Sequence, residues 1–165
     1  MNGKSLHYRG IFITLLIIAN CFSYINGQGK NTDKEKILRL HEKDLRASIS
    51  GYVDSLIFLW DKNGIMLPSK EEPVSGIVAI SKYLREAHNK RSNIDLLEYK
   101  HDFRELNIVD NMAFEWGFYK NKVRIKKSGN IISVKGKLFR VLKKNETGNW
   151  KVYRAIWTTD EINKE

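Results

Sequence analysis

The 165-residue chain contains one cysteine, Cys21, and only two prolines, Pro68 and Pro73. A single cysteine excludes an internal disulfide and any cysteine-based metal site. The histidines do not make up for it. Past residue 27 they are His41, His88 and His101, widely spaced and beside no paired ligand motif. No metal or other cofactor is expected. There is no glycine-rich nucleotide loop, no nucleophile motif, no internal repeat, no heptad pattern and no low-complexity segment. Acidic residues are outnumbered, 19 against 29 lysines and arginines, for a formal net charge of +10. Stability must therefore come from an apolar core, and a single domain of this length can bury one.

The apolar run at residues 11–22 is too short to span a bilayer comfortably. Lys4 and Arg9 precede it and small polar residues follow, the order of a secretory signal peptide. Cleavage after Gly27 would start the mature chain at Gln28 and leave a net charge of +8. Secreted or periplasmic protein is the favoured reading. A lipoprotein held through Cys21 is second, with Asn20 a poor residue before it, and an uncleaved anchor is third. The expected organisation is a signal over 1–27, a linker over 28–32 and one domain over 33–160.

Thr32-Asp-Lys-Glu35 has capping-box spacing. Ile37, His41, Leu45, Ile49, Tyr52, Val53 and Leu56 then recur every three or four residues, which predicts one buried helix face bent or broken at Gly51. Leu56–Trp60 is apolar all round and is expected to be enclosed on most sides. A turn at Asp61–Gly64, a short strand at Ile65–Leu67 and a polar loop from Ser69 to Ser75 follow. A second helix begins near Gly76, with Ile77, Ile80, Tyr83, Leu84 and Ala87 inward and a basic last turn. From Ile94 to Trp157 the pattern is four long strands. Turn signals separate them at Asp110-Asn111, Ser128–Asn130 and Asn145–Asn149. Leu97, Tyr99, His101 and Phe103 share one face of the first strand. In the second, Ala113, Glu115, Gly117 and Tyr119 face one way and Phe114, Trp116 and Phe118 the other. Both faces are apolar, so a homodimer through the sheet is the economical expectation. Asn145-Glu-Thr147 also fits a glycosylation acceptor.

Helices first and a curved antiparallel sheet after them make an α+β cone with a pocket between the two. Three segments carry a resemblance: Tyr52–Leu56 with Leu59–Pro68; Pro73–Ile80; and Val109–Ala113 with Gly117, Gly148–Arg154 and Trp157. In their order and spacing the chain resembles the nuclear transport factor 2-like superfamily, and within it the SnoaL-like, ketosteroid-isomerase-like domains of unknown function. The resemblance covers nearly the whole chain after the signal. It implies the cone (a cystatin-like, nuclear transport factor 2-like fold), a pocket at its open end and frequent dimers. It also implies members that are isomerases, cyclases or hydratases beside others that only associate, so fold alone does not decide function. The chain departs from the pattern at three acidic positions: Tyr52 follows Gly51, Ala155 stands two residues before Trp157, and only Asp61 follows Trp60.

Glu115 is the sharpest catalytic candidate. Its neighbours Ala113 and Gly117 are small and leave room, and an apolar pocket would raise its pKa towards that of a general base. His101 could shuttle a proton or orient Glu115, and Tyr119 could donate to a ligand oxygen. Trp60, Asp54, Trp157, Tyr99 and Phe103 are the expected pocket lining. For each of these residues, core packing or a solvated surface is the competing explanation. The leading expectation is a module that binds a small apolar or mixed ligand. The alternative is an isomerase, cyclase or hydratase using Glu115. A third, weaker one is an anion surface along Lys120, Lys122, Arg124, Lys126 and Lys127; that strip is read first as a solvated face, and no nucleic acid and no stable membrane insertion are expected.

Overall fold

The computed structural model describes residues 32–164. The signal segment, its cleavage site, Cys21 and the linker up to residue 31 lie outside them. From Lys36 onward the chain forms one compact unit. Helix α1 covers 32–50 and α2 covers Val53–Phe58. Strand β1 (Trp60–Leu67) and the two-residue β2 (Val74–Ser75) lead into α3 (Ile77–Lys90). Four long strands follow: β3 (Ile94–Val109), β4 (Met112–Ile125), β5 (Ile131–Lys144) and β6 (Trp150–Trp157). A short β7 (Glu161–Lys164) closes the series.

The protein is α+β: one curved, unclosed sheet in the order β2-β1-β6-β5-β4-β3, packed on its helices. β7 and β6 pair with different stretches of β5. All pairings are antiparallel except β1 with β6. The three expected turns join the long strands where the sequence places them, and Asp110 takes up the left-handed conformation (φ 53°) that aspartate tolerates. Alternation then sorts the side chains. Ala113, Glu115, Gly117 and Tyr119 of β4 point inward and are buried, while Phe114, Trp116 and Phe118 remain about two-fifths exposed on the outer face. Ile37 and Leu40 from α1 meet Leu142, Trp150 and Val152 of the sheet in the core. Each such side chain contributes about 1.5–3 kcal/mol by leaving water.

Several elements differ from the sequence reading. The buried face of α1 is Ile37, Leu40, Asp44, Ala47 and Ser48, whereas Leu45, Ile49 and Tyr52 are 39%, 58% and 68% exposed. The reason is geometric. Each step of four residues overshoots a full helical turn by about 40°, so Ile49 lies about 120° round from Ile37. The true face carries polar residues, which an apolar count passes over. Gly51 does end α1, at φ +72°, a conformation glycine adopts without steric cost. In the Leu56–Trp60 segment Leu59 is buried and Leu56, Ile57 and Trp60 are half-buried, and only Phe58, 69% exposed, departs from the expected enclosure. The expected turn at Asp61–Gly64 is the irregular part of β1, whose register against β6 shifts between Trp60 and Ile65. The polar loop contains β2, Ala87 faces solvent, and a register shift between Leu96 and Glu98 sends Leu97 outward. Acidic side chains answer two members of the lysine strip: Glu98 receives Lys120 at 2.6 Å, as well as Lys100 of β3 at 2.8 Å, and Lys126, just past β4, lies 3.7 Å from Asp95. Hydrogen bonds from Lys100 and Lys120 hold the Glu98 carboxyl down at about 2.

Candidate functional site

A cavity of about 280 Å³ lies between the inner face of the sheet, α1 and α3. Its wall has two characters. Leu56, Leu59, Trp60, Leu84, Val152 and Trp157 form an apolar side. Asp44 and Ser48 from α1, Tyr99 and His101 from β3, Asn121 from β4 and Arg140 from β5 gather on the other. The polar group is not adventitious, because sheet register and helix spacing converge on it. Arg140 lies directly across from Glu115 in the β4–β5 ladder. Asp44 sits one turn of α1 beyond Leu40 and so faces the same way.

Arg140 is 4% exposed and holds two carboxylates. Its Nε donates to Glu115 Oε1 at 2.6 Å and its Nη1 to Asp44 Oδ2 at 2.9 Å. The guanidinium also lies over the Phe103 ring, 4.6 Å from its centroid. The second oxygen of Glu115 is 2.8 Å from His41 Nε2. Asp44 Oδ2 lies 3.8 Å from His101 Nδ1, and Asp44 Oδ1 accepts from Ser48 Oγ at 3.4 Å. One largely buried polar chain thus runs from His41 through Glu115, Arg140 and Asp44 to His101.

The chain sets the protonation of its members. Burial pushes His101 down to about 4, with the Arg140 guanidinium pushing the same way against the opposing pull of Asp44. His101 is a neutral imidazole at neutral pH. Burial also raises the Tyr99 phenol, with the Asp44 carboxylate adding to it, so Tyr99 keeps its proton. For Glu115, burial alone would raise the carboxyl. The Arg140 guanidinium and the His41 hydrogen bond outweigh burial and hold it below its ordinary value.

The structure places the sequence candidates as follows. Trp60, Tyr99, His101, Tyr119 and Trp157 line the cavity. Phe103 lies behind it, stacked on His41 at 4.3 Å between ring centroids and covering Arg140. Asp54 is on the surface, its side chain 80% exposed and paired with Arg85 at 2.5 Å. Glu115 is buried next to the cavity and is not among its lining residues. The room expected beside it is filled, since a Cβ on Gly117 would overlap the backbone of Asp102 and Phe103. The pKa shift expected for Glu115 is reversed by Arg140. The histidine that binds Glu115 is His41, from the helix, and His101 faces Asp44 instead. The Tyr119 hydroxyl is 3.2 Å from Thr159 Oγ1. Among the described residues no group of three His, Cys, Asp or Glu side chains is arranged to hold a metal ion.

Asp44, Arg140 and His41 were not among the sequence candidates for the site. A signal for Arg140 exists: it interrupts the inward alternation Leu138-x-Arg140-x-Leu142 with a charge. An inward charge demands an inward partner, and Glu115 is the acid on the neighbouring strand's inner face.

No protein-family model matches the sequence, and no curated protein matches it. Solved structures match its fold. A ketosteroid isomerase-like protein from Erwinia carotovora atroseptica is 13% identical, with 76% of this chain and 94% of that one covered at a TM-score of 0.64. A nuclear transport factor 2-like protein from Cytophaga hutchinsonii is 20% identical, covering 77% and 98%, with a TM-score of 0.61. A candidate scytalone dehydratase from Novosphingobium aromaticivorans is 15% identical, covering 83% and 90%, with a TM-score of 0.69. The chain has the nuclear transport factor 2-like fold.

Proposed function

We propose that the protein binds a small, largely apolar molecule carrying one or two hydrogen-bonding groups, held in the cavity between sheet and helices. The observation that carries this reading is the two-sided wall: an apolar half beside a polar half whose charges are already paired with one another. A cavity of about 280 Å³ takes a ligand of modest size. Because two carboxylates, Asp44 and Glu115, share the single guanidinium of Arg140, the site favours an uncharged ligand over an anion. Native mass spectrometry of protein from its own cells tests this. A discrete small-molecule mass should accompany the wild type and be lost from Leu84→Trp, which fills the apolar side, while the variant keeps its fold by circular dichroism. If the wild type carries nothing and no apolar compound raises its melting temperature, the reading fails.

A second reading has its own support. His101 is neutral, faces the cavity and has the Asp44 carboxylate 3.8 Å from its Nδ1. Such a pair can accept a proton from a bound molecule and return it elsewhere, which is the chemistry of an isomerase or dehydratase. Glu115 is then a support for Arg140 and not the base.

The outer face of the sheet supports a homodimer. Register aligns Trp116 with Phe139 and Phe139 with Ile156, so aromatic and aliphatic side chains each about two-fifths exposed run across three strands. A two-fold pair of such faces is self-complementary. Light scattering should report twice the chain mass for the wild type and the single mass for Trp116→Lys. A monomeric wild type would remove the dimer.

A further inference from the structure

We propose a second binding site, a groove between α1, the end of α2 and β6 that takes a small organic anion: an aromatic or aliphatic body bearing a sulfonate, carboxylate or phosphate group. The groove has a volume of about 290 Å³. Lys36, Arg39 and Lys43 line it from α1, and Lys151 lines it from β6. Their spacing on α1 puts the first three on one helix face. Among the described residues that line the groove there is no carboxylate.

Two of the ammonium groups are fixed in place. Lys36 Nζ donates to the Gly148 carbonyl at 3.1 Å. Lys151 Nζ donates to the Phe58 carbonyl and lies 3.4 Å from the centroid of the Phe58 ring. A ligand meeting them does not have to order long flexible side chains first. Partial burial lowers the Lys151 ammonium pKa, and the charge of Lys43 lowers it further against the weaker pull of Asp61. Lys151 and Lys43 therefore feel one another, and an anion between them would relieve that repulsion. The floor decides what the anion is attached to. Leu40 and Trp150 form an apolar base, and Phe58, 69% exposed, stands beside it. A bare phosphate would leave most of this volume and all of this apolar surface unused.

The test is a fluorescence titration of the purified protein with 8-anilinonaphthalene-1-sulfonate at low salt. One saturable site is expected, weakening as salt rises. Lys43→Glu should weaken it about tenfold or more. Lys127→Glu, the same charge change in the turn after β4, should leave it within about twofold, and so should Leu84→Trp, which blocks the other cavity. Three outcomes overturn the proposal. Equal loss in Lys43→Glu and Lys127→Glu would mean attraction by net charge alone. Loss in Leu84→Trp would place the probe in the cavity. Binding to phosphatidylglycerol vesicles without binding of the soluble sulfonate would make the partner a membrane surface. Failure of the cavity reading leaves this result untouched, because the two sites are read by different variants.

Discussion

Arg140→Met should destabilise the protein by about 3–5 kcal/mol, the usual consequence of removing one partner from a buried ionic cluster. For a domain of this size that is a fall of roughly 10–20 °C in melting temperature. The cause is what stays behind. Glu115 is 1% and Asp44 9% exposed, and without the guanidinium both would be buried carboxylates with no cation between them. The packing of Arg140 on the Phe103 ring would go as well. A triple variant, Arg140→Met with Glu115→Gln and Asp44→Asn, separates the cost of stranded charge from the loss of packing. It should recover at least half of the lost stability in a urea titration, because neutral amides cost less to bury than unpaired carboxylates. An Arg140→Met protein within about 1 kcal/mol of the wild type would show that the cluster is not a buried ionic network.

Acidification should weaken the fold in a window set by His101. In the unfolded chain this histidine takes up a proton near its ordinary value of 6.5, but in the folded protein only at about 4. Between those values the unfolded chain binds more protons, so stability falls as pH falls. The contribution is complete above about 6.5 and is lost by about 4. The shift corresponds to about 2–3 kcal/mol once the partial exposure of the ring is allowed for. Asp44, Arg140, His41 and Glu115 all act on this ring, and the lowered value already includes their opposing pulls. Glu115 follows with the same sign at lower pH, since a carboxyl held below its ordinary value surrenders its stabilisation only when that lower value is reached. Urea midpoints at a series of pH values from 7 to 4 measure the effect. His101→Gln should be much flatter across the window than the wild type. Coincident slopes would assign the dependence to another group.

The sheet was legible because strand signals are local. Turn residues bracket four runs of alternating side chains, and β4 alone announces its inner and outer faces through Ala113–Tyr119. The binding cavity was partly legible for the same reason: Tyr99, His101 and Tyr119 share the inner face by alternation. The charge network was not. Its partners are Asp44, Glu115 and Arg140, far apart in sequence and joined only when α1 lies across the sheet. The helix that carries Asp44 adds to the difficulty, because Asp44 and Ser48 occupy part of its buried face and an apolar stripe does not reveal them. Irregular backbone was the third difficulty. The shift in β1 disguised a strand as a turn, and the one between Phe103 and Glu105 brought β3 against Gly117 where open space was expected.

The irregularities of β3 have a further consequence. This 16-residue strand is an end of the described sheet, so one of its sides has no neighbour there. A flat apolar strand of that length would be a template on which other chains could add and build aggregates. Here the register breaks twice, between Leu96 and Glu98 and again between Phe103 and Glu105. Asp95, Lys100, Asp102, Arg104 and Glu105 place charges of both signs along it. A foreign strand would meet an interrupted ladder and a changing charge pattern. The kinks that shape the inner face of the sheet thereby also guard its margin against polymerisation.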